Sequence, residues 1–179
     1  NGVVSHAGPP MEPAVRVALV MHGPGLVQPA VEDYPVELVD VTPTALGLLG
    51  YDPHPNFQGI NVLSSQRPRL TDRVLFFHTE NPLCRSDGLL YQGRWKLIHD
   101  RVLNAWWLFD VLADPGETRN LYEQERRLAQ RLQTTLLQWR RQQLAYYHYP
   151  FYYLANYPPP PPRVSGTNVV GREHGKTQQ

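Results

Sequence analysis

An apolar run lies near the start of the chain, at residues 16–21, which read Arg-Val-Ala-Leu-Val-Met. The run is nearly continuous, contains two β-branched residues and is followed by Gly and Pro. This pattern predicts a strand buried on both faces, as in parallel or mixed sheets covered by helices.

The next periodic stretch, residues 39–49, predicts a short helix. Asp40 is a plausible N-cap, and Gly50 stands where the helix would end. At helical spacing, we expect Leu46 and Leu49 to face the core.

The middle of the chain alternates between apolar runs and turn residues, without a helical pattern between them. Its predicted strands are residues 73–78, 89–91, 95–98 and 106–109. Gln-Gly-Arg at 92–94 predicts a hairpin, and Asp-Pro-Gly-Glu at 114–117 predicts a type II turn. Consecutive strands of this kind favour a small antiparallel sheet.

A long helix is predicted after this sheet. Asn120 and Glu123 resemble a capping box, so we expect the helix to begin there and to end near Tyr146. Four apolar residues repeat at helical spacing and should pack against the sheet: Leu128, Leu132, Leu136 and Trp139. The remainder is aromatic, then contains five consecutive Pro at 158–162, and predicts an extended, mobile tail.

Length and composition limit the classes of protein that fit. The 179 residues suffice for one domain with a tail, and a net charge of +1 provides no overall field for nucleic acid or an anionic membrane. Cys84 is the single cysteine, which excludes a disulfide within the chain, and no apolar run has the length of a transmembrane segment. The chain begins with Asn1, so we expect it to be a piece of a longer protein.

Several segments together resemble the sulfatase family. Four segments are similar to the family's C-terminal signature: Gly-Arg-Trp-Lys-Leu-Ile at 93–98, Leu-Phe-Asp at 108–110, Asp-Pro-Gly-Glu at 114–117 and Asn-Leu at 120–121. Three upstream segments resemble the family's middle section in the same order: residues 16–20, residues 23–25 and Leu-Val-Asp-Val-Thr-Pro-Thr at 38–44. The resemblance extends over about residues 1–146 and does not include the tail.

This resemblance implies the C-terminal portion of an alkaline-phosphatase-like α/β fold, with a small antiparallel sheet and a long C-terminal helix. It divides the chain into three parts. Residues 1–65 would end the central α/β core, 66–147 would form the sheet and helix, and 148–179 would be a disordered tail.

The resemblance also implies a chemistry that this chain does not complete. Sulfatases hydrolyse sulfate esters with a formylglycine made within Cys/Ser-x-Pro/Ala-x-Arg, and Cys84 does not lie in such a motif. The family's paired N-terminal Asp ligands for Ca²⁺ are absent too. We therefore expect the C-terminal part of a sulfatase-like hydrolase, inactive alone, whose complete form uses formylglycine and Ca²⁺ on a sulfate-ester small molecule or glycan.

Two residues near the start are candidates for the active site through this resemblance. Asn1-Gly2 is similar to the end of the family's Asp-Asn-Gly or Asp-His-Gly motif, which makes Asn1 a candidate metal ligand, because an amide oxygen suits a hard cation. His6 stands where members often carry a His close to the sulfate, so it is a candidate substrate-binding residue. The Lys that the family tends to place before residue 16 is missing.

Other charged residues receive structural interpretations. Glu12 and Arg16 could pair at the start of the predicted strand, while Arg94 and Lys96 alternate with apolar residues and should face solvent. Four further histidines lack the spacing of a metal site: His22, His54, His78 and His99.

Two alternatives remain beside the sulfatase interpretation. One is a phosphoesterase or phosphotransferase of the same superfamily, with a Ser or Thr nucleophile. The other is a non-catalytic binding or assembly module that uses the aromatic and Pro-rich end. A buried strand without neighbours argues against the second, because the isolated chain would then expose apolar surface.

Overall fold

The structure, a computed structural model, describes residues 8–23, 25, 27–52, 54, 56–82, 84–148 and 161–165. Its helices are α1 (Glu12–Val15), α2 (Val41–Leu48) and α3 (Arg126–His148), and its strands are β1 (Val74–Asn81), β2 (Cys84–Tyr91), β3 (Trp95–Asp100) and β4 (Ala105–Asp110). Short 3₁₀ turns lie at Leu38–Asp40 and Leu70–Asp72.

The four strands form an antiparallel sheet in the order β1-β2-β3-β4. Between β2 and β3, Gln92 and Gly93 both have positive φ, and the Arg94 N–H donates to the Tyr91 carbonyl at 3.1 Å. Two positive φ values match the twist of the flanking strands, which explains the tight turn. The predicted antiparallel sheet and its hairpin are thus confirmed.

Helix α3 packs its apolar stripe on one face of this sheet. Leu132 and Leu136 are buried there against Leu89 and Leu108, while Leu128 and Trp139 pack at the edges of the same core. This confirms the predicted long helix and its stripe. None of the helices in the described ranges combines the length and apolarity needed to cross a membrane.

The long helix begins at Arg126 rather than at Asn120, so the predicted capping box is wrong. The Asn120 side chain binds the edge strand instead: its Oδ1 accepts the Leu108 N–H at 3.0 Å, and its Nδ2 donates to the Trp106 carbonyl at 3.1 Å. Asn120 therefore satisfies backbone groups of β4, and the chain turns before entering the helix.

The prediction of a buried strand at 16–21 is also wrong. This segment has no strand pairing in the structure, and Val17 and Val20 are exposed. Within the described residues no other strand lies beside it, and a segment cannot bury both faces without neighbours on each side.

Helix α2 is present, but its N-terminal half rather than its C-terminal half is buried. Thr44 is buried, and its hydroxyl accepts the Val62 N–H at 3.0 Å, which attaches the helix to the loop that follows it. Leu49 lies at the free end and is exposed, contrary to expectation, while Leu46 is half-buried. The Asp40 side chain makes no cap hydrogen bond to α2 and points toward β1 instead.

Only residues 161–165 of the aromatic and Pro-rich end lie within the described part of the chain. There Pro162 is buried, and Val164 joins the core beside α3. The Ser165 carbonyl accepts a hydrogen bond from Arg131 Nε at 2.6 Å. This short stretch thus packs on the domain, which differs from the extended tail expected there.

Candidate functional site

The two candidate active-site residues, Asn1 and His6, lie outside the described residues. The described structure begins just after them and shows how the following segment is held. Glu12 is the residue that attaches this segment to the sheet.

A buried lysine forms the centre of that attachment. The Lys96 side chain is 0% exposed, and its Nζ lies 2.9 Å from Glu12 Oε1 and 2.9 Å from Glu117 Oε1. The Glu12 N–H also donates to Glu117 Oε2 at 2.6 Å. These three residues, which we name the Lys96 triad, join α1, β3 and the turn after β4 in one buried network.

The triad overturns two sequence-based interpretations. Lys96 does not face solvent, because α1 and the 114–117 turn cover that face of β3. Glu12 binds Lys96, so its expected pairing with Arg16 is wrong. Arg94, two residues before Lys96, is half exposed, as expected for the solvent face of the strand. Its NH2 lies 2.6 Å from Asp110 Oδ2, and this hydrogen bond lowers the pKa of Asp110.

The 114–117 turn positions Glu117 for this network. The Glu117 N–H donates to the Asp114 carbonyl at 3.0 Å, and Glu117 itself has a φ of +51°. Gly116 has no positive φ, so the predicted type II turn is wrong. A left-handed conformation is uncommon for a non-glycine residue, and here it accompanies a buried ion pair.

The Asp114 carboxylate fixes the next residues of this turn. It accepts the N–H groups of Thr118 at 2.8 Å and Arg119 at 2.9 Å. These bonds, led by the one from Arg119, lower the pKa of Asp114. The acidic residues at 114 and 117 therefore serve the structure of the turn and the attachment of α1.

A second buried network joins the segment before α2 to β1. Asp40 is buried, with a charged hydrogen bond from Arg73, and its Oδ1 accepts the Ile60 N–H at 2.8 Å. Glu37 Oε1 accepts the Phe76 N–H at 2.7 Å. Burial raises the pKa of Glu37 to about 7, although the Phe76 N–H and Arg73 oppose that rise.

A third network surrounds Asp87, on the face of the sheet that carries α3. The Asp87 side chain is 1% exposed. Its Oδ1 lies 2.7 Å from His78 Nδ1, and its Oδ2 lies 3.0 Å from Arg101 Nε and 2.6 Å from Arg140 NH1. His78 therefore belongs to a charged network, which its isolated position in the sequence did not reveal.

The described residues do not fit a calcium site. Among them, no group of three or more His, Cys, Asp and Glu side chains could hold a metal ion. The buried carboxylates of the three networks are already bound to Lys or Arg. The Ca²⁺ implied by the family resemblance would therefore need ligands from other residues.

Two further features of the described residues are a buried cysteine and a surface groove. Cys84 is buried at the start of β2, with Sγ 3.2 Å from Ser86 Oγ. A groove of about 560 Å³ lies beside Tyr34. The Arg67 guanidinium in it stacks 4.4 Å from that ring and pairs with Glu32.

Comparison with known proteins shows that this chain is similar to sulfatases. The family model described as N-sulphoglucosamine sulphohydrolase, C-terminal, matches residues 10–143. Arylsulfatase K of Mus musculus is 30% identical over 122 residues, which cover 62% of this chain and 22% of that protein. Choline-sulfatase of Rhizobium meliloti is 30% identical over 119 residues, covering 64% and 23%. The chain thus matches less than a quarter of either relative.

Two solved structures are also similar. BT4656, in complex with its substrate D-glucosamine-2-N,6-O-disulfate, is 26% identical with a TM-score of 0.43, covering 65% of this chain and 24% of that one. BT1596, a 2-O GAG sulfatase, is 25% identical with a TM-score of 0.37, covering 48% and 21%.

The family match includes α1, all four strands, the turn at 114–117 and most of α3. It therefore contains each member of the Lys96 triad and agrees with the sheet-and-helix fold expected for the C-terminal portion of an alkaline-phosphatase-like protein. The chain belongs to the sulfatases, in the family of N-sulphoglucosamine sulphohydrolase C-terminal domains.

Proposed function

We propose that this chain is the C-terminal part of a sulfuric ester hydrolase and has no turnover by itself. The observation that supports this most is the family match over residues 10–143. The sequence contains no Cys/Ser-x-Pro/Ala-x-Arg motif from which a formylglycine could be made. In the complete enzyme, a formylglycine supplied by other residues would provide the nucleophile, and Ca²⁺ would stabilise anionic oxygens.

The contribution of this chain would be to position residues close to the sulfate. Glu12 lies six positions after His6, and the Lys96 triad fixes Glu12 to the sheet. His6 would donate a hydrogen bond to the anionic substrate, while Asn1 would offer its amide oxygen to the metal. Since catalysis needs accurate positioning, the triad would act by limiting the movement of the segment that carries His6.

The substrate that we propose is a sulfated saccharide. The support is the family itself, which is described by its action on N-sulphoglucosamine. The two curated relatives carry different substrate names, an aryl sulfate and choline sulfate, so the relatives alone favour no single substrate.

The test is to express the complete coding sequence that contains this chain and to measure sulfate release from N-sulfoglucosamine and from an aryl sulfate. Mass spectrometry of the same protein would detect formylglycine. We expect release by the complete protein and none by residues 1–179. Hydrolysis of a phosphate ester, with no cleavage of the sulfamate N–S bond or of the aryl sulfate ester, would support the phosphoesterase alternative. Hydrolysis of none of these substrates would refute the proposal.

A further inference from the structure

We propose that the end of the sheet around Glu80 is a binding site for a sulfo group of a saccharide, separate from the sulfate that is hydrolysed. The Glu80 site consists of the Glu80 carboxylate and the three side chains around it, those of Arg85, Arg101 and His78. The inference rests on the proposed function, because it names a second contact with the same class of substrate.

Two guanidinium groups and one imidazole converge on the Glu80 carboxylate. Arg85 Nε lies 3.1 Å from Oε1, Arg101 NH2 donates to Oε2, and His78 Nε2 lies 3.8 Å from Oε2. The register explains the convergence, since Glu80 is opposite Arg85 and His78 is opposite Asp87 on one face of the sheet. The bond from Arg101 lowers the pKa of Glu80, so this carboxylate is an anion held by cations.

A second carboxylate lies behind the side chains of the site. Asp87 is buried, with its Oδ1 2.7 Å from His78 Nδ1 and its Oδ2 2.6 Å from Arg140 NH1 and 3.0 Å from Arg101 Nε. Because Asp87 has almost no exposure, it cannot turn toward a ligand, and it orients His78 and Arg101, the two inner side chains of the site. The cluster contains three arginines (Arg85, Arg101 and Arg140) and two carboxylates (Glu80 and Asp87), so its net charge without His78 is +1.

Glu80 differs from Asp87 in being exposed to solvent. Its side chain is 47% exposed, and that of Arg85 is 60% exposed. A surface ion pair of this kind is held weakly against water. An anion from solution can therefore take the place of the Glu80 carboxylate while Asp87 keeps His78 and Arg101 in position.

A sulfo group suits the position that the Glu80 carboxylate would give up to an anion. It carries a permanent negative charge and several acceptor oxygens, whereas guanidinium groups offer several donors with a charge that is independent of pH. Two arginines and a histidine can thus bind different oxygens of one group. The site is at the surface, so it fits a sulfo group attached to a saccharide as well as a free sulfate ion.

The experiment measures binding of a sulfated heparin tetrasaccharide by isothermal titration calorimetry, using the complete protein. Glu80→Gln removes the competing carboxylate and should tighten binding about two- to fivefold, while Arg85→Gln should weaken it about fivefold. Glu123→Gln is the matched control, because Glu123 forms an exposed pair with Arg126 at 3.0 Å and its loss changes the net charge equally.

Equal tightening by Glu80→Gln and Glu123→Gln would overturn the inference, since it would reflect net charge alone. Inorganic sulfate that binds as tightly as the tetrasaccharide would overturn the assignment to a saccharide. If hydrolysis persists and Glu80→Gln has no effect, this inference fails while the proposed function stands. Tighter binding by Glu80→Gln without hydrolysis by the wild type would support the site and refute the hydrolase.

Discussion

Replacing Lys96 by Met tests the buried triad most directly. Met keeps an unbranched apolar side chain of similar length, so the change removes the charge and leaves little cavity. The carboxylates of Glu12 and Glu117 would then face each other with no cation between them. Removing one partner of a buried ion pair costs about 3–5 kcal/mol, which is a large part of a typical free energy of unfolding of about 5–15 kcal/mol.

The assay is equilibrium unfolding in urea at pH 7, followed by tryptophan fluorescence. Arg94→Met is the control, because Arg94 is two residues away and its side chain is half exposed, although its partner Asp110 is buried. The triple variant Glu12→Gln, Lys96→Met, Glu117→Gln replaces all three charges, and we expect it to recover most of the lost stability. This role of the triad is refuted if Lys96→Met lowers the free energy of unfolding no more than Arg94→Met does. It is also refuted if the triple variant is no more stable than Lys96→Met.

Three further changes test other parts of the fold by the same unfolding measurement. The raised pKa of Glu37 means that the folded state holds its proton more tightly, so stability falls as pH rises from about 4.5 to about 7. Glu37→Gln should therefore gain stability relative to wild type across that interval, by about 1–3 kcal/mol, and a constant difference would contradict its burial. Leu136→Ala should cost about 2–5 kcal/mol in the core, and equal loss from the more exposed neighbour Leu137→Ala would contradict the orientation of α3. Gly59→Ala would bring a Cβ to 1.9 Å from the Val39 carbonyl oxygen, so we expect a loss of about 1–3 kcal/mol, and an unchanged unfolding midpoint would show that this contact is absent.

Local features of the fold could be predicted from the sequence because local interactions produce them. The turn at 92–94 fixes which residues of β2 and β3 face each other, and the spacing of Leu132 and Leu136 fixes the buried face of α3. In both cases the residues that decide the structure are close in sequence.

Features that depend on distant residues could not be predicted in this way. Alternation within β3 makes Lys96 look solvent-facing, yet the group that covers it comes from α1, 84 positions earlier. Asn120 has the residue type of an N-cap, but the free backbone groups of β4 bind its side chain instead. The Asp87 network likewise depends on Arg140, 53 positions away.

The contacts of Glu12 have a consequence for the order in which the chain folds. Each strand of the sheet pairs with its neighbour in the sequence, so the four strands need only short loop closures. The bonds of Glu12 to Lys96 and Glu117 instead close loops of 84 and 105 residues. Closing a longer loop costs more entropy, so we expect α1 to dock last during folding and to detach first. Hydrogen exchange at the Glu12 amide would then report brief openings of this segment while the sheet stays protected.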